Sequence, residues 1–201
     1  MNKVNYNDLF KKEIEKITSL KAQPKLLMHS CCAPCSTECL RRVSPFFKTD
    51  LFFYNPNITS EEEFIKRLAE LEKFVGKVYQ NSVKILKKDY DKSEFLSFIK
   101  GYENEKEGGK RCRLCYLLRL EETAKLSKEL NYDYFTTTLS VSPYKNADWI
   151  NEIGEILQEK YGVKFLFSDF KKENGYKNSI KLSNDYELYR QNYCGCVFSK
   201  N

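Results

Sequence analysis

Lys25-Leu-Leu-Met-His-Ser-Cys-Cys-Ala-Pro-Cys-Ser36 runs from a short apolar segment straight into three cysteines within five positions. Leu26, Leu27 and Met28 suit a buried strand, and Pro34 followed by Ser-Thr-Glu suits the first turn of a helix. Cys31 and Cys32 then fall on the turn between them. In an open α/β sheet that turn is where ligands bind, outside the carboxyl end of a strand. Many nucleotide-binding folds place a glycine-rich phosphate loop at this point. Here the turn carries sulfur, which points to a metal.

Outward from this turn, strand and helix patterns alternate. Before it, Phe10, Ile14 and Ile17 stand at helical spacing within residues 6 to 20. After it, the helix through Arg41 and Arg42 stops near Ser44-Pro45, and Leu51-Phe-Phe-Tyr54 reads as a second strand. Asn55-Pro-Asn57 closes that strand, and Thr59 or Ser60 caps a helix with the stripe Phe64, Ile65, Leu68, Leu71, Val75 and Val78. Val83–Leu86, Tyr134–Leu139 and Val163–Phe167 read as three more strands, separated by helical stretches that include a long one opened by Arg111-Cys-Arg-Leu-Cys115. Leu114, Leu117, Leu118 and Ala124 give that long helix one apolar face opposite a charged one. The polar segment Glu103 to Lys110 reads as a mobile loop leading into it. Alternating strands and helices predict an α/β fold with a parallel sheet flanked by helices and right-handed crossovers, so that all strand ends meet along one edge. Gly175 to Asn201 reads as a polar and aromatic tail, ending near Tyr193-Cys-Gly-Cys196, that folds over this edge.

Length and composition bound the function. A chain of 201 residues suits a single catalytic domain over 1–201, with residues 1–24 as a helical extension. Its 41% hydrophobic and 31% charged residues, without an apolar run of membrane-spanning length or a secretory leader pattern, predict a cytoplasmic protein with no membrane partner. In that reducing setting eight cysteines point to metal or redox chemistry rather than disulfides. The net charge of +6 understates the basic surface if thiolates are present, and leaves a nucleic-acid partner open beside an ordinary lysine-rich surface.

The C-x-x-C pair at 112 and 115 alone is compatible with a zinc half-site, a redox dithiol or a cluster half-site. Taken with Cys31, Cys32 and Cys35, and with Cys194 and Cys196, it makes seven thiols in three places that this fold can bring together. Four complete one zinc site or one iron-sulfur cluster. Adjacent residues such as Cys31 and Cys32 are expected to point apart, which suggests two neighbouring centres. Gly195 between the terminal pair lets the backbone approach closely. Cys39 and His29, the latter the only histidine, read as core residues.

His29-Ser-Cys-Cys-Ala-Pro-Cys-Ser36, Phe53-Tyr-Asn-Pro-Asn-Ile58, Arg111-Cys-x-x-Cys115, Thr137-Thr-Leu-Ser-Val-Ser-Pro-Tyr-Lys-Asn146, Asp169-Phe-Lys-Lys172 with Gly175-Tyr176, and Leu188-Tyr-Arg-Gln-Asn-Tyr-Cys-Gly-Cys196 follow one another in order. On these motifs the chain resembles the cobalamin-independent epoxyqueuosine reductases of the QueH type, over nearly its whole length after the N-terminal helix. The resemblance implies a Rossmann-like (HUP-type) fold carrying a [4Fe-4S] cluster beside an additional mononuclear iron. It implies reduction of the epoxide of epoxyqueuosine, at the wobble position of a tRNA, to queuosine, the last step of tRNA queuosine biosynthesis. The chemistry then asks for an external one-electron reductant such as ferredoxin or flavodoxin. Cys31, Cys32, Cys35, Cys112, Cys115, Cys194 and Cys196 become the expected metal ligands. Cys32, Cys112, Cys115 and Cys194 are expected at the cluster, and Cys31, Cys35 and Cys196 at the single iron. Cys31, Cys35 and Asp169 are the expected catalytic residues, and Tyr54, Asn55, Asn57, Ser142, Lys145, Asn146, Lys172 and Arg190 the expected substrate contacts. Lys171, Lys172, Lys177, Lys181 and Arg190, interleaved with Tyr176, Tyr186, Tyr189 and Tyr193, suit phosphate and base contacts of an anticodon arm. An iron-sulfur tRNA thiolation enzyme and a zinc-stabilised RNA-binding module are the alternatives. The lack of a glycine-rich phosphate loop after the first strand speaks against the former.

Overall fold

Strand side chains alternate between the two faces of a sheet, and the first strand is apolar on both. The computed structural model describes residues 4–80 and 82–199. The first three residues of the expected N-terminal extension and the last two of the expected tail lie outside them. Five parallel strands, β1 (Lys25–His29), β2 (Lys48–Phe53), β3 (Ile85–Lys87), β4 (Tyr134–Thr137) and β5 (Lys164–Phe165), stand in the order β3-β2-β1-β4-β5. β1 is central, with Met28 paired to Leu51 of β2 and to Thr136 of β4.

The alternation sends Leu26, Met28, Leu51 and Phe53 to one face and Leu27 and Phe52 to the other. On the first face they pack with Phe10 and Ile17 of α1 (Tyr6–Ser19), Leu40 and Val43 of α2 (Ala33–Val43), and Phe64 and Leu71 of α3 (Glu61–Val78). On the second lie α4 (Lys92–Phe98) with Phe95, α5 (Lys110–Glu129) with Leu118, and α6 (Ala147–Tyr161) beside α5. The result is a Rossmann-like α/β sandwich. Local chemistry starts the helices: Asn5, Ser60, Asp91 and Asn146 each cap one by accepting a backbone N–H two or three residues on. None of the helices formed by the described residues is long and apolar enough to cross a membrane.

Four expectations need correcting. The tail contains a seventh helix, α7 (Gly175–Asp185), which packs on α2; its face of serines and small residues gave no apolar stripe. The fifth strand pairs only through Lys164 and Phe165. The charged face expected of α5 is divided, since Arg111 and Arg119 are buried while Arg113 and Lys125 are exposed. And the 103–110 loop is tied down, because the Arg111 guanidinium donates to the carbonyls of Tyr102, Glu103 and Glu105.

Candidate metal centre

Strand order reverses between β1 and β4, the two central neighbours whose chain connections lead to opposite sides of the sheet. Their carboxyl ends therefore splay and leave a crevice where open α/β sheets take ligands. Cys31 sits in it: its N–H donates to Oγ1 of Thr138, just past β4, at 3.3 Å. Cys32 is the N-cap of α2, in extended conformation and with no side-chain cap bond, so the helix turns immediately and Cys35 comes back over it. The Sγ atoms of Cys31, Cys32 and Cys35 all lie within 4.8 Å of one another, and those of Cys31 and Cys32 are 3.8 Å apart. The expected divergence of Cys31 and Cys32 is thus wrong, because the extended N-cap brings both thiols to one side. Two thiolates about 2.3 Å from a tetrahedral metal are separated by about 3.8 Å, so the two can share a centre. The assignment of Cys31 and Cys32 to separate metals loses its geometric ground.

Cys112 and Cys115 stand in the first turn and a half of α5, with Gly108 N–H donating to the Cys112 sulfur at 3.2 Å. The tail brings Cys194 and Cys196 over the same edge. Asn57 Nδ2 and Arg67 Nη1 both donate to the Cys194 carbonyl at 3.2 Å, Arg67 Nη2 donates to that of Tyr193 at 3.2 Å, and Thr59 N–H donates to that of Gly195 at 3.1 Å. Gly195 has φ +98°, and a Cβ there would lie 2.7 Å from Ile58, so only glycine lets the tail seat this closely. Gln191 Nε2 reaches the Cys32 sulfur at 2.9 Å. All eight thiols are free. Cys39 lies instead in the apolar cluster with Leu40 and Phe170, where burial pushes its thiol well up.

The thiols do not titrate alike. Cys31 is held well below the usual thiol range by hydrogen bonds from Cys32 and Cys35, while the same contact with Cys31 pushes Cys32 up to about 12. Cys194 is lowered to about 4, chiefly by a hydrogen bond from Cys196, and Cys196 is raised in turn. The first-strand trio and the tail pair thus each favour one thiolate even with protons as the only counter-ions, whereas burial pushes the Cys115 thiol of α5 up. His29 is fully buried: Nε2 donates to the Tyr54 carbonyl at 3.0 Å and Nδ1 accepts from Thr137 Oγ1 at 2.9 Å. Burial and Arg119 depress its pKa to about 3, so it is neutral and structural, as read from the sequence.

A cavity of about 500 Å³ opens at this edge. Cys31, Cys35, Cys194, Ser142, Lys145 and Arg190 line it, joined by Tyr144, Tyr176, Tyr193, Arg67 and Arg119. The remaining residues expected to contact substrate are placed differently. Asn55 donates to the Ser30 carbonyl at 2.9 Å, Asn57 holds the tail, and Asn146 caps α6. Tyr54 is buried, and neither it nor Lys172 lines the cavity. Asp169 lies 2.7 Å from Lys171 Nζ and likewise does not line it. Tyr186 packs against Phe74 in the core, and Tyr189 donates to Glu63 at 3.2 Å. Arg67 and Arg119 were missed. Their one sequence signal is register: Arg119 stands seven residues after Cys112 and four after Cys115, on the same helical face.

Comparison with known proteins decides the lineage. The profile of the family described as "Epoxyqueuosine reductase QueH" matches residues 26–201. The chain belongs to the QueH family of epoxyqueuosine reductases. It is therefore an oxidoreductase, and the thiolation-enzyme and RNA-module alternatives fall away. Over 202 residues it is 43% identical to the epoxyqueuosine reductase QueH of Staphylococcus epidermidis, covering 98% of this chain and 85% of that one. It is 40% identical to that of Streptococcus pyogenes serotype M1 over 200 residues, 98% of this chain and 78% of the relative. The protein of the same name from Thermotoga maritima is 38% identical over 177 residues, 87% of this chain and 89% of that one. The first two matches, over 98% of this chain, take in its N-terminal cysteine turn, its α5 pair and its tail together.

Proposed function

We propose that this chain reduces the epoxide of epoxyqueuosine in tRNA to the alkene of queuosine, using iron held by its seven clustered cysteines as a [4Fe-4S] cluster and an adjacent mononuclear iron. The observation that carries the reading is the gathering of thiols from three distant segments at the switch point of the sheet: Cys31, Cys35 and Cys194 line the cavity, and Cys115 of α5 packs behind it in one buried cluster with Cys194 and Cys196. An all-sulfur donor set suits iron-sulfur ligation, one trio of it lies within 4.8 Å and is close enough to hold a single metal ion, and seven thiols exceed what one four-ligand centre takes. Cys31 and Cys32 serve the same centre. Cys35 faces the cavity, where a metal must offer an open position to substrate.

Deoxygenation of an epoxide to an alkene takes two electrons and two protons and releases water. Bound iron would supply the electrons singly from a reductant such as ferredoxin or flavodoxin, and a Lewis acid for the oxygen. The protein's part is to admit one nucleoside and exclude bulk water around it. A cavity of about 500 Å³ suits a single nucleoside splayed out of an RNA loop. Lys145 Nζ offers a hydrogen-bond donor inside it. Burial works against that ammonium, yet the Cys194 thiolate and Tyr116 hold its pKa above the ordinary lysine value. At the mouth Arg190 lies 5.4 Å over the Tyr176 ring, a pairing suited to a phosphate and a stacked base. The tRNA substrate places the reaction in the cytoplasm.

Anaerobic purification followed by iron and sulfide determination tests this reading. About five irons per chain and visible cluster absorbance are expected. Cys112→Ala should bleach that absorbance, whereas Cys35→Ala should keep it, lose about one iron and lose turnover. Zinc without visible absorbance would sink the proposal.

A further inference from the structure

One face of α5 presents Cys112, Cys115 and Arg119 to the active edge, and the arginine is the unexplained member. Arg119 is only 3% exposed. Its Nε donates to the Cys115 carbonyl at 3.3 Å and its Nη1 to Oδ1 of Asn55 at 3.2 Å. Asn55 is aimed by its own bond to Ser30, so the guanidinium is held in a fixed orientation. The two other arginines buried as deeply are satisfied differently: Arg67 lies 2.6 Å from the Glu63 carboxylate, and Arg111 donates to the three backbone carbonyls of Tyr102, Glu103 and Glu105. Among the described residues no carboxylate forms an ion pair with Arg119. A buried guanidinium without a counter-charge costs several kcal/mol, about as much as any single defect a small domain tolerates.

Sulfur surrounds it instead. Cys115 lies one turn earlier on the same helix, and Cys31 and Cys194 share the cavity lining with Arg119. One thiol from each cysteine-bearing segment, Cys115, Cys31 and Cys194, thus stands on the guanidinium's side of the site. We propose that Arg119 is the built-in counter-charge of the metal centre, a positioning residue that stabilises the centre's more negative, reduced form. A fixed cation in a water-poor site favours the reduced state over the oxidised one and so raises the midpoint potential. Lys145 is a second cation beside Cys194, but it is shared with Glu107 at 3.7 Å, whereas Arg119 has no carboxylate partner among the described residues.

This inference rests on the proposed iron site, and the experiment separates the two. Wild type, Arg119→Met and Arg119→Lys are purified anaerobically, assayed for iron, and titrated spectroelectrochemically. Arg119→Met should show a more negative midpoint potential and a lower kcat at unchanged KM for tRNA, and Arg119→Lys should recover most of the potential. Iron loss in Arg119→Met that Arg119→Lys restores would equally support the counter-charge. Should Arg119→Met fail to fold, Asn55→Asp places a carboxylate beside the guanidinium and should shift the potential in the same direction. An unchanged midpoint in both variants at full iron content overturns the proposal. So does a raised KM at an unchanged midpoint, which would make Arg119 a substrate contact. A wild-type protein without iron would refute the metal reading itself.

Discussion

Arg67→Met tests whether the cysteine-bearing tail is held by one buried side chain. The guanidinium is 2% exposed and donates to Glu63 at 2.6 Å and to the carbonyls of Tyr193 and Cys194 at 3.2 Å each. Methionine preserves the apolar bulk and removes all three bonds. Glu63 is partly solvated and can turn to water, so only the two tail bonds are counted. At about 1.5 to 3 kcal/mol per charged hydrogen bond the loss is about 3 to 6 kcal/mol, with Asn57 still holding the Cys194 carbonyl. At about 1.4 kcal/mol per factor of ten, the docked-to-undocked ratio falls by about two to four orders of magnitude. Hydrogen exchange read by mass spectrometry should show much faster exchange in peptides over 188–199 and unchanged protection over β1. Iron content should fall with it, since Cys194 and Cys196 are no longer presented. Wild-type protection of the tail, or equal acceleration in tail and sheet, would refute the clamp.

Gly195→Ala should loosen the same segment by about 2 to 4 kcal/mol, from left-handed backbone strain at φ +98° and contact with Ile58 at 2.7 Å; the same exchange measurement checks it. Gly175→Ala should destabilise the whole domain in a denaturant melt, because the added Cβ would lie 1.8 Å from the Phe170 carbonyl oxygen, which cannot move alone. His29 is neutral when folded and titrates near 6.5 when unfolded, so its contribution to stability is intact above pH 6.5 and is lost as pH falls towards 3, about 5 kcal/mol in all. Nitrogen NMR of this single histidine should show the Nε2–H tautomer unchanged at pH 5, and a transition near 6.5 would contradict the burial argument. Binding of tRNA should weaken as salt rises, and Arg190→Gln should reduce the slope of log K against log salt by about one.

Most of the scaffold was legible because its signals are local. Apolar strands flanked by turn residues, and capping side chains such as Ser60 and Asn146, locate nearly every element. The active edge followed from strand order, since parallel strands with helical crossovers must end together. What stayed hidden depends on the third dimension. Arg67 and Arg119 were not singled out, and Arg111 entered only as the first residue of its cysteine motif, because sequence shows that a helix has a polar face but not that the tail or the thiols cover it. The divergence expected of Cys31 and Cys32 failed for a related reason: the extended N-cap conformation of Cys32, not the sequence adjacency, sets where the two thiols point. α7 was missed because its buried residues are Gly175, Ser179 and Ser183, small groups that let it approach α2 without an apolar stripe.

The same physics that makes this crevice a phosphate site in nucleotide-binding folds makes it a thiolate site here. Helix N-termini carry unpaired N–H groups and partial positive charge, which stabilise any anion set against them. At α2 the capping position is a cysteine that makes no cap bond, and at α5 the first turn holds Cys112 above a glycine cap. Both helices therefore spend their N-termini on sulfur. These five thiols are fixed by the sheet and by α5, whereas Cys194 and Cys196 belong to no sheet or α-helix and are held by side-chain and loop contacts, chiefly those of Arg67, Asn57 and Thr59 with their carbonyls. A metal that needs all three segments must then bind the docked tail more tightly than the free one. By linkage it stabilises docking by the same free energy. Metal removal should accordingly release the 188–199 segment before the sheet loosens, and the Arg67→Met protein should reproduce that partial opening although all seven cysteines are still in the chain.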